Sequence, residues 1–100
     1  MHFSILYRQV VQNALNYGKK YDILINQEFA LTKLIEEIGE FAQALLIYKK
    51  KSRPEKFLID ELAKEKVAEE LADVVGMAFV NAHVLNIDLE QALQKKWVRN

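Results

Sequence analysis

Two short acidic clusters hold the side chains best suited to chemistry, Glu36-Glu37-Ile38-Gly39-Glu40 and Glu69-Glu70-Leu71-Ala72-Asp73. On a helix, residues three apart are separated by roughly 60°. Glu37 and Glu40 therefore share one stripe, and Glu70 and Asp73 share another. Glu36 points further outward, and Glu69 flanks Asp73 as a possible outer partner. Two antiparallel helices could bring the four carboxylates together at the edge of a buried surface. Like charges gathered there repel, and burial aggravates the repulsion. A hard divalent cation between them would relieve it. Mg²⁺ takes oxygen ligands in octahedral geometry, retains waters and bridges protein carboxylates to phosphates. The ligand chemistry therefore points to Mg²⁺, with Mn²⁺ as the alternative. The competing reading is a set of ordinary surface glutamates paired with Lys33, Lys64 or Lys66. It suits Asp73 least, because an almost wholly apolar half-helix follows that residue.

Other site chemistries find less support. The chain has no cysteine, which excludes disulfides and thiolate zinc sites. A di-iron carboxylate bundle wants Glu-x-x-His pairs, but Val80 stands three residues before His83 and nothing suitable precedes His2. His83 is read as a core or interface histidine. Neither His nor Ser placement suggests a nucleophilic triad.

Four helices must position these groups. The first is expected from about Phe3 to Lys19, with Ile5, Leu6, Tyr7, Val10, Val11 and Leu15 inward and Gly18 suited to its C-terminal end. Asn26 is a plausible N-cap for a second helix over about Gln27 to Lys50. There Leu31, Leu34, Ile38, Phe41, Leu45 and Tyr48 recur at spacings of three and four. Ser52-Arg53-Pro54 breaks the chain. A third helix is expected from near Glu55 or Phe57 to about Leu85. From Leu71 onward its only polar side chains are Asp73, Asn81 and His83, so it should be buried on more than one side. Asn86 suits a left-handed helix end, and Asp88 caps a last helix from Leu89 to about Val98.

The expected architecture is all-α, a four-helix bundle-like single domain over residues 1–100. With three Gly and one Pro there is little punctuation for a β protein. A core this small is naturally completed by self-association, and the all-round apolar half-helix points to another subunit. Acidic and basic residues balance at 14 each, so the footprint of a nucleic-acid polymer binder is missing. No stretch approaches the roughly twenty apolar residues that span a bilayer. The first twenty residues have neither the basic start nor the unbroken apolar run of a signal peptide. No membrane partner and a cytoplasmic address are expected.

The strings LIEEIGEFAQAL and EELADVVGMAFVNAHVLNIDLEQAL resemble the two motifs of MazG-like all-α nucleotide pyrophosphohydrolases. The first is Glu-Glu-x-x-Glu on a helix. The second is Glu-x-x-Asp followed by an apolar helix, a turn and Ile-Asp-Leu-Glu. The ending KKWVRN is similar to the family's Lys-x-x-x-Asn, matching Lys96 and Asn100, and the resemblance covers about Leu31 to Asn100. It implies cleavage of a (deoxy)nucleoside triphosphate between the α and β phosphates, in nucleotide-pool cleansing. Carried over by motif position, Glu37, Glu40, Glu70 and Asp73 become metal ligands, and Glu36 helps to position water from outside that set. A spare carboxylate serves as general base, and Glu36, Glu37 and Glu40 are the catalytic residues that the motif implies. Lys96 and Asn100 contact phosphate or sugar, and Lys33 is near enough in sequence to join them. The resemblance also implies a homodimer or a dimer of dimers. No motif marks a base pocket; Phe29, Tyr48 and Trp97 are the aromatic candidates. The main alternative is a non-catalytic helical interaction module whose acidic patches bind a basic partner. A structural metal-binding bundle without catalysis is the third reading.

Overall fold

Local signals start and stop the helices. In the computed structural model, which describes residues 1–98, these are α1 (Phe3–Tyr21), α2 (Gln27–Tyr48), α3 (Asp60–Val84) and α4 (Leu89–Trp97), with a 3₁₀ turn at Pro54–Lys56. The all-α expectation holds, and no strand occurs among the described residues. Asn26 caps α2 by accepting from the Phe29 N–H at 2.9 Å, and Asp88 caps α4 by accepting from the Gln91 N–H at 3.1 Å.

The helix ends share one device. Asp22, Lys50 and Asn86 all have positive φ, at 56°, 57° and 56°. The next N–H in each case reaches back five residues, Ile23 to Gly18, Lys51 to Leu46 and Ile87 to Ala82. This closure satisfies carbonyls that the helix end would otherwise orphan.

Two boundaries differ from expectation. Helix α1 ends at Tyr21 rather than Lys19; Gly18 is buried in its last turn, and Asp22 is the left-handed residue that follows. A Cβ at Gly18 would meet the Ile23 carbonyl oxygen and Ile25 Cγ1, both at 2.7 Å, so glycine serves close packing of the returning chain. Gly18→Ala is expected to destabilise the fold by about 1–3 kcal/mol, read as a lower denaturation midpoint; an unchanged midpoint would contradict this close approach. Helix α3 starts at Asp60 rather than at Glu55 or Phe57. The Pro54 turn closes after two hydrogen bonds, from the Lys56 N–H to the Arg53 carbonyl and from the Phe57 N–H to the Pro54 carbonyl, and Phe57 and Ile59 are extended. This returns the Phe57 ring to Lys50 Nζ, 5.6 Å from its centroid.

Helices α2 and α3 form an antiparallel pair. Asn81 Nδ2 donates to the Ala30 carbonyl at 2.8 Å at one end, and Lys50 Nζ pairs with Asp60 at 3.0 Å at the other. Between these ends, Ala30, Leu34, Glu37, Phe41, Ala44 and Tyr48 form the covered row of α2. Ala63, Val67, Glu70, Val74, Met77 and Asn81 form that of α3. Both rows alternate steps of four and three, the spacing of a coiled-coil seam. The expected inner face of α2 is therefore partly wrong. Leu34, Phe41 and Tyr48 are covered, whereas Leu31, Ile38 and Leu45 are exposed. Small Ala30 and Ala44 sit in the seam, and the apolar face of α2 is wider than one partner helix covers.

Helix α1 packs across α3. Phe3 and Tyr7 each lie 5.4 Å from Phe79, centroid to centroid, and Val10 approaches Gly76. The apolar half of α3 is thus buried at Phe79, Val80 and Ala82 but exposed at Leu71, Val75 and Leu85. His83, expected in the core or at an interface, is outside the core of the single chain. The radius of gyration, 15.8 Å, exceeds the roughly 13 Å typical of a closed 100-residue globule. No described helix is long and apolar enough to cross a membrane.

Candidate metal centre and adjoining cavity

The seam carries two acids where apolar residues are the rule. Glu37 and Glu70 are each only 7% exposed. Glu40 and Asp73 lie one helical turn further along their helices and are exposed. Antiparallel pairing sets the two stripes side by side, and one carboxylate oxygen from each residue lies within 4.8 Å of the others. The four acids singled out by spacing thus converge.

Two lysines answer part of this charge. Lys33 pairs with Glu36 and lies 3.7 Å from Glu37, while Lys66 lies 3.0 Å from Glu70 and 3.9 Å from Glu69. Each stands four residues before its buried glutamate, on the same helix face. The hydrogen bond to Glu36 raises the Lys33 pKa, and that to Glu70 raises the Lys66 pKa. Burial pushes the Glu37 carboxyl up, helped by the neighbouring Glu40 carboxyl and the charge of Asp73, against the pull of Lys33.

The lysines leave a deficit. Glu37 Oε2 and Glu70 Oε2 are both buried without a hydrogen-bond partner. Unsatisfied buried acceptors of this kind cost about 1–3 kcal/mol each or more when charged. A hard cation fits the donor set, which is all oxygen and all acidic. Opposite ligands of octahedral Mg²⁺ stand about 4.2 Å apart, so modest side-chain shifts would close the quartet on one ion. The buried pair would approach it from the seam and the exposed pair from the solvent side.

Beside the quartet lies a cavity of about 560 Å³ between α1, α2 and α3, with Glu37, Asp73 and Lys33 in its wall. Phe29 also lines it. Tyr48 instead stands at the end of α2 beneath Lys49, and Trp97 is exposed at the end of α4. Glu36 and Glu69 are exposed and outside the quartet. Lys96 is in the last turn of α4, which contributes no lining residue to this cavity among the described residues. Asn100 lies outside the described residues. Sequence reasoning missed the contribution of α1, where Gln9, Asn13 and Tyr17 line the cavity. Their spacing of four was the available signal.

A helical chain with a convergent Glu-x-x-Glu and Glu-x-x-Asp pair has the makeup of the MazG-like all-α pyrophosphohydrolases. Within that superfamily the chain belongs to the phosphoribosyl-ATP pyrophosphohydrolase family, whose model matches residues 10–97. The match is narrower than the motif resemblance and takes in most of α1 as well. No curated protein and no solved structure matches the chain. The reaction class is accordingly that of a pyrophosphohydrolase.

Proposed function

We propose that the chain hydrolyses the triphosphate group of a nucleotide between its α and β phosphates, with Mg²⁺ held by Glu37, Glu40, Glu70 and Asp73. The observation that carries this reading is the convergence of four carboxylates around two buried, partnerless oxygens. What a bound divalent cation supplies is charge neutralisation at the phosphates and a more acidic water. Glu40 is exposed at the rim and offers the metal one oxygen; its other oxygen accepts the proton of the attacking water as general base. Water adds at the α-phosphorus, the bond to the bridging oxygen breaks, and nucleoside monophosphate and pyrophosphate leave. Glu36 pairs with Lys33 and holds it at the cavity mouth, from where the ammonium reaches the incoming phosphates. Lys96 and Asn100 are carried as phosphate or sugar contacts on their motif positions alone. Mn²⁺ is expected to substitute for Mg²⁺, since both accept this oxygen set.

Two substrate classes share that triphosphate chemistry. The motif resemblance favours (deoxy)nucleoside triphosphates and pool cleansing, whereas the family match favours phosphoribosyl-ATP. Pyrophosphate release from a panel holding both, with and without Mg²⁺, separates them. Release that needs metal is expected; no release from any member at millimolar Mg²⁺ would overturn the reading.

We further propose that a second copy covers the face of the α2–α3 pair opposite the cavity. Leu31, Ile38 and Leu45 stand one residue beyond the seam on α2, and Leu71 and Val75 do so on α3. In antiparallel helices these positions share a side, and a patch of this kind marks an interface. Sedimentation is expected to give a dimer or a dimer of dimers, and Ile38→Lys is expected to shift it toward monomer by at least about tenfold in dissociation constant. A wild-type monomer at micromolar concentration would contradict this.

A further inference from the structure

The cavity wall has an order along it. On α2, Phe29, Lys33 and Glu37 follow at intervals of four, so an aromatic face, a cation and a carboxylate of the quartet succeed one another down one row. Each step covers about 6 Å of helix. Helix α1 contributes a second row to the same wall, Gln9, Asn13 and Tyr17. The neighbouring amides Gln12 and Asn16 bond to each other at 2.9 Å, while Gln9 and Asn13 line the cavity. The Tyr17 ring is backed by Tyr21, with centroids 4.9 Å apart.

We infer that this cavity is the nucleoside pocket, with Tyr17 and Phe29 taking the base on their ring faces and Asn13 and Gln9 reading its edge. The inference rests on the pyrophosphohydrolase reading for the orientation of the nucleotide, whose triphosphate lies toward Lys33, Glu37 and Asp73. Three features favour this occupant. The volume, about 560 Å³, falls in the roughly 300–1,000 Å³ range of small-molecule sites. Aromatic faces take up any base by stacking. A side-chain amide presents a donor and an acceptor side by side, matching the adjacent acceptor and donor on a base edge. Asn13, Gln9 and Tyr17 are therefore specificity-determining residues, and they come from a helix that carries none of the quartet.

The test is binding of nucleoside 5′-monophosphates by titration calorimetry, alongside steady-state pyrophosphate release, for the wild type, Asn13→Ala, Tyr17→Ala and Tyr17→Phe. Asn13 and Tyr17 are exposed, so the folded state should survive, and thermal melting checks it. We expect the two alanine variants to bind the monophosphate about tenfold more weakly. KM should rise by a similar factor, kcat should move far less, and Mn²⁺ affinity should be unaltered. Tyr17→Phe keeps the ring face and should restore binding. Unaltered monophosphate affinity in both alanine variants would overturn the pocket, as would a Tyr17→Phe variant as weak as Tyr17→Ala. Wild-type protein that binds a monophosphate through these residues yet releases no pyrophosphate would support the pocket while removing the hydrolase reading.

Discussion

Asp73→Asn or Glu40→Gln is expected to lower pyrophosphate release by on the order of 10²-fold or more, with the fold intact. Each change keeps the shape of the side chain and removes its negative charge. Both residues are exposed at the rim of the quartet, so neither supports the seam. An amide is a poor ligand for a hard cation beside three carboxylates and cannot accept a proton from water. The loss should fall in kcat, and thermal melting of the metal-free variants should match the wild type. Full activity in both variants would remove these two residues from the site.

The second large effect is on stability, and its sign depends on the metal. Glu37→Leu places an apolar side chain of similar size in a seam whose α2 row otherwise holds Ala30, Leu34, Phe41, Ala44 and Tyr48. Without metal it should stabilise the protein by about 1–3 kcal/mol, since a partnerless buried acceptor is removed. The same variant should lose the stabilisation that Mg²⁺ confers on the wild type. The pH dependence follows from the raised Glu37 pKa. The folded state holds this proton to a higher pH than the unfolded state does. Metal-free wild type therefore loses stability as pH rises from the ordinary carboxylate value through the raised one, and Glu37→Leu lacks that loss. Mg²⁺ binding runs the other way, tightening with pH because the ligands must be deprotonated. Melting curves across pH 4–8 with and without Mg²⁺, a range of order 4 units around the carboxylate region, check both signs. Destabilisation by Glu37→Leu in the metal-free protein would contradict them.

Much of the fold was legible because its signals are local. Asn26, Asp88 and Asn86 are short-range capping residues, and all three act as read. The seam was less legible. The apolar residues of α2 spread over more than half its circumference, so periodicity alone chose Leu31, Ile38 and Leu45 over the narrower row through Ala30 and Ala44. Which part of a wide apolar face meets a partner in the same chain is a tertiary fact. The place of Gly18 near the end of α1 was legible, but its packing role was not, because that requirement comes from Ile23 and Ile25 folding back. The start of α3 was misplaced because charge and apolar pattern continue through Phe57, while Pro54 imposes a separate turn.

The quartet was legible through spacing, since Glu37 with Glu40 and Glu70 with Asp73 must share stripes on any helix. Spacing did not reveal that Glu37 and Glu70 would lie in the seam. That follows from the pairing register, set by Asn81 with Ala30 at one end and Lys50 with Asp60 at the other. The α1 side of the cavity went unread for the same reason, although Gln9, Asn13 and Tyr17 share a spacing of four. That Gln9, Asn13 and Tyr17 line a cavity depends on the two helices that stand across from them.

A crystal soaked in Mn²⁺ tests the central claim most directly, because anomalous scattering locates the ion independently of turnover. The expected result is a peak among Glu37, Glu40, Glu70 and Asp73, lost in Asp73→Asn. A peak elsewhere, or none at the quartet in a preparation whose pyrophosphate release requires Mn²⁺, would contradict the assignment of these four carboxylates as the metal site.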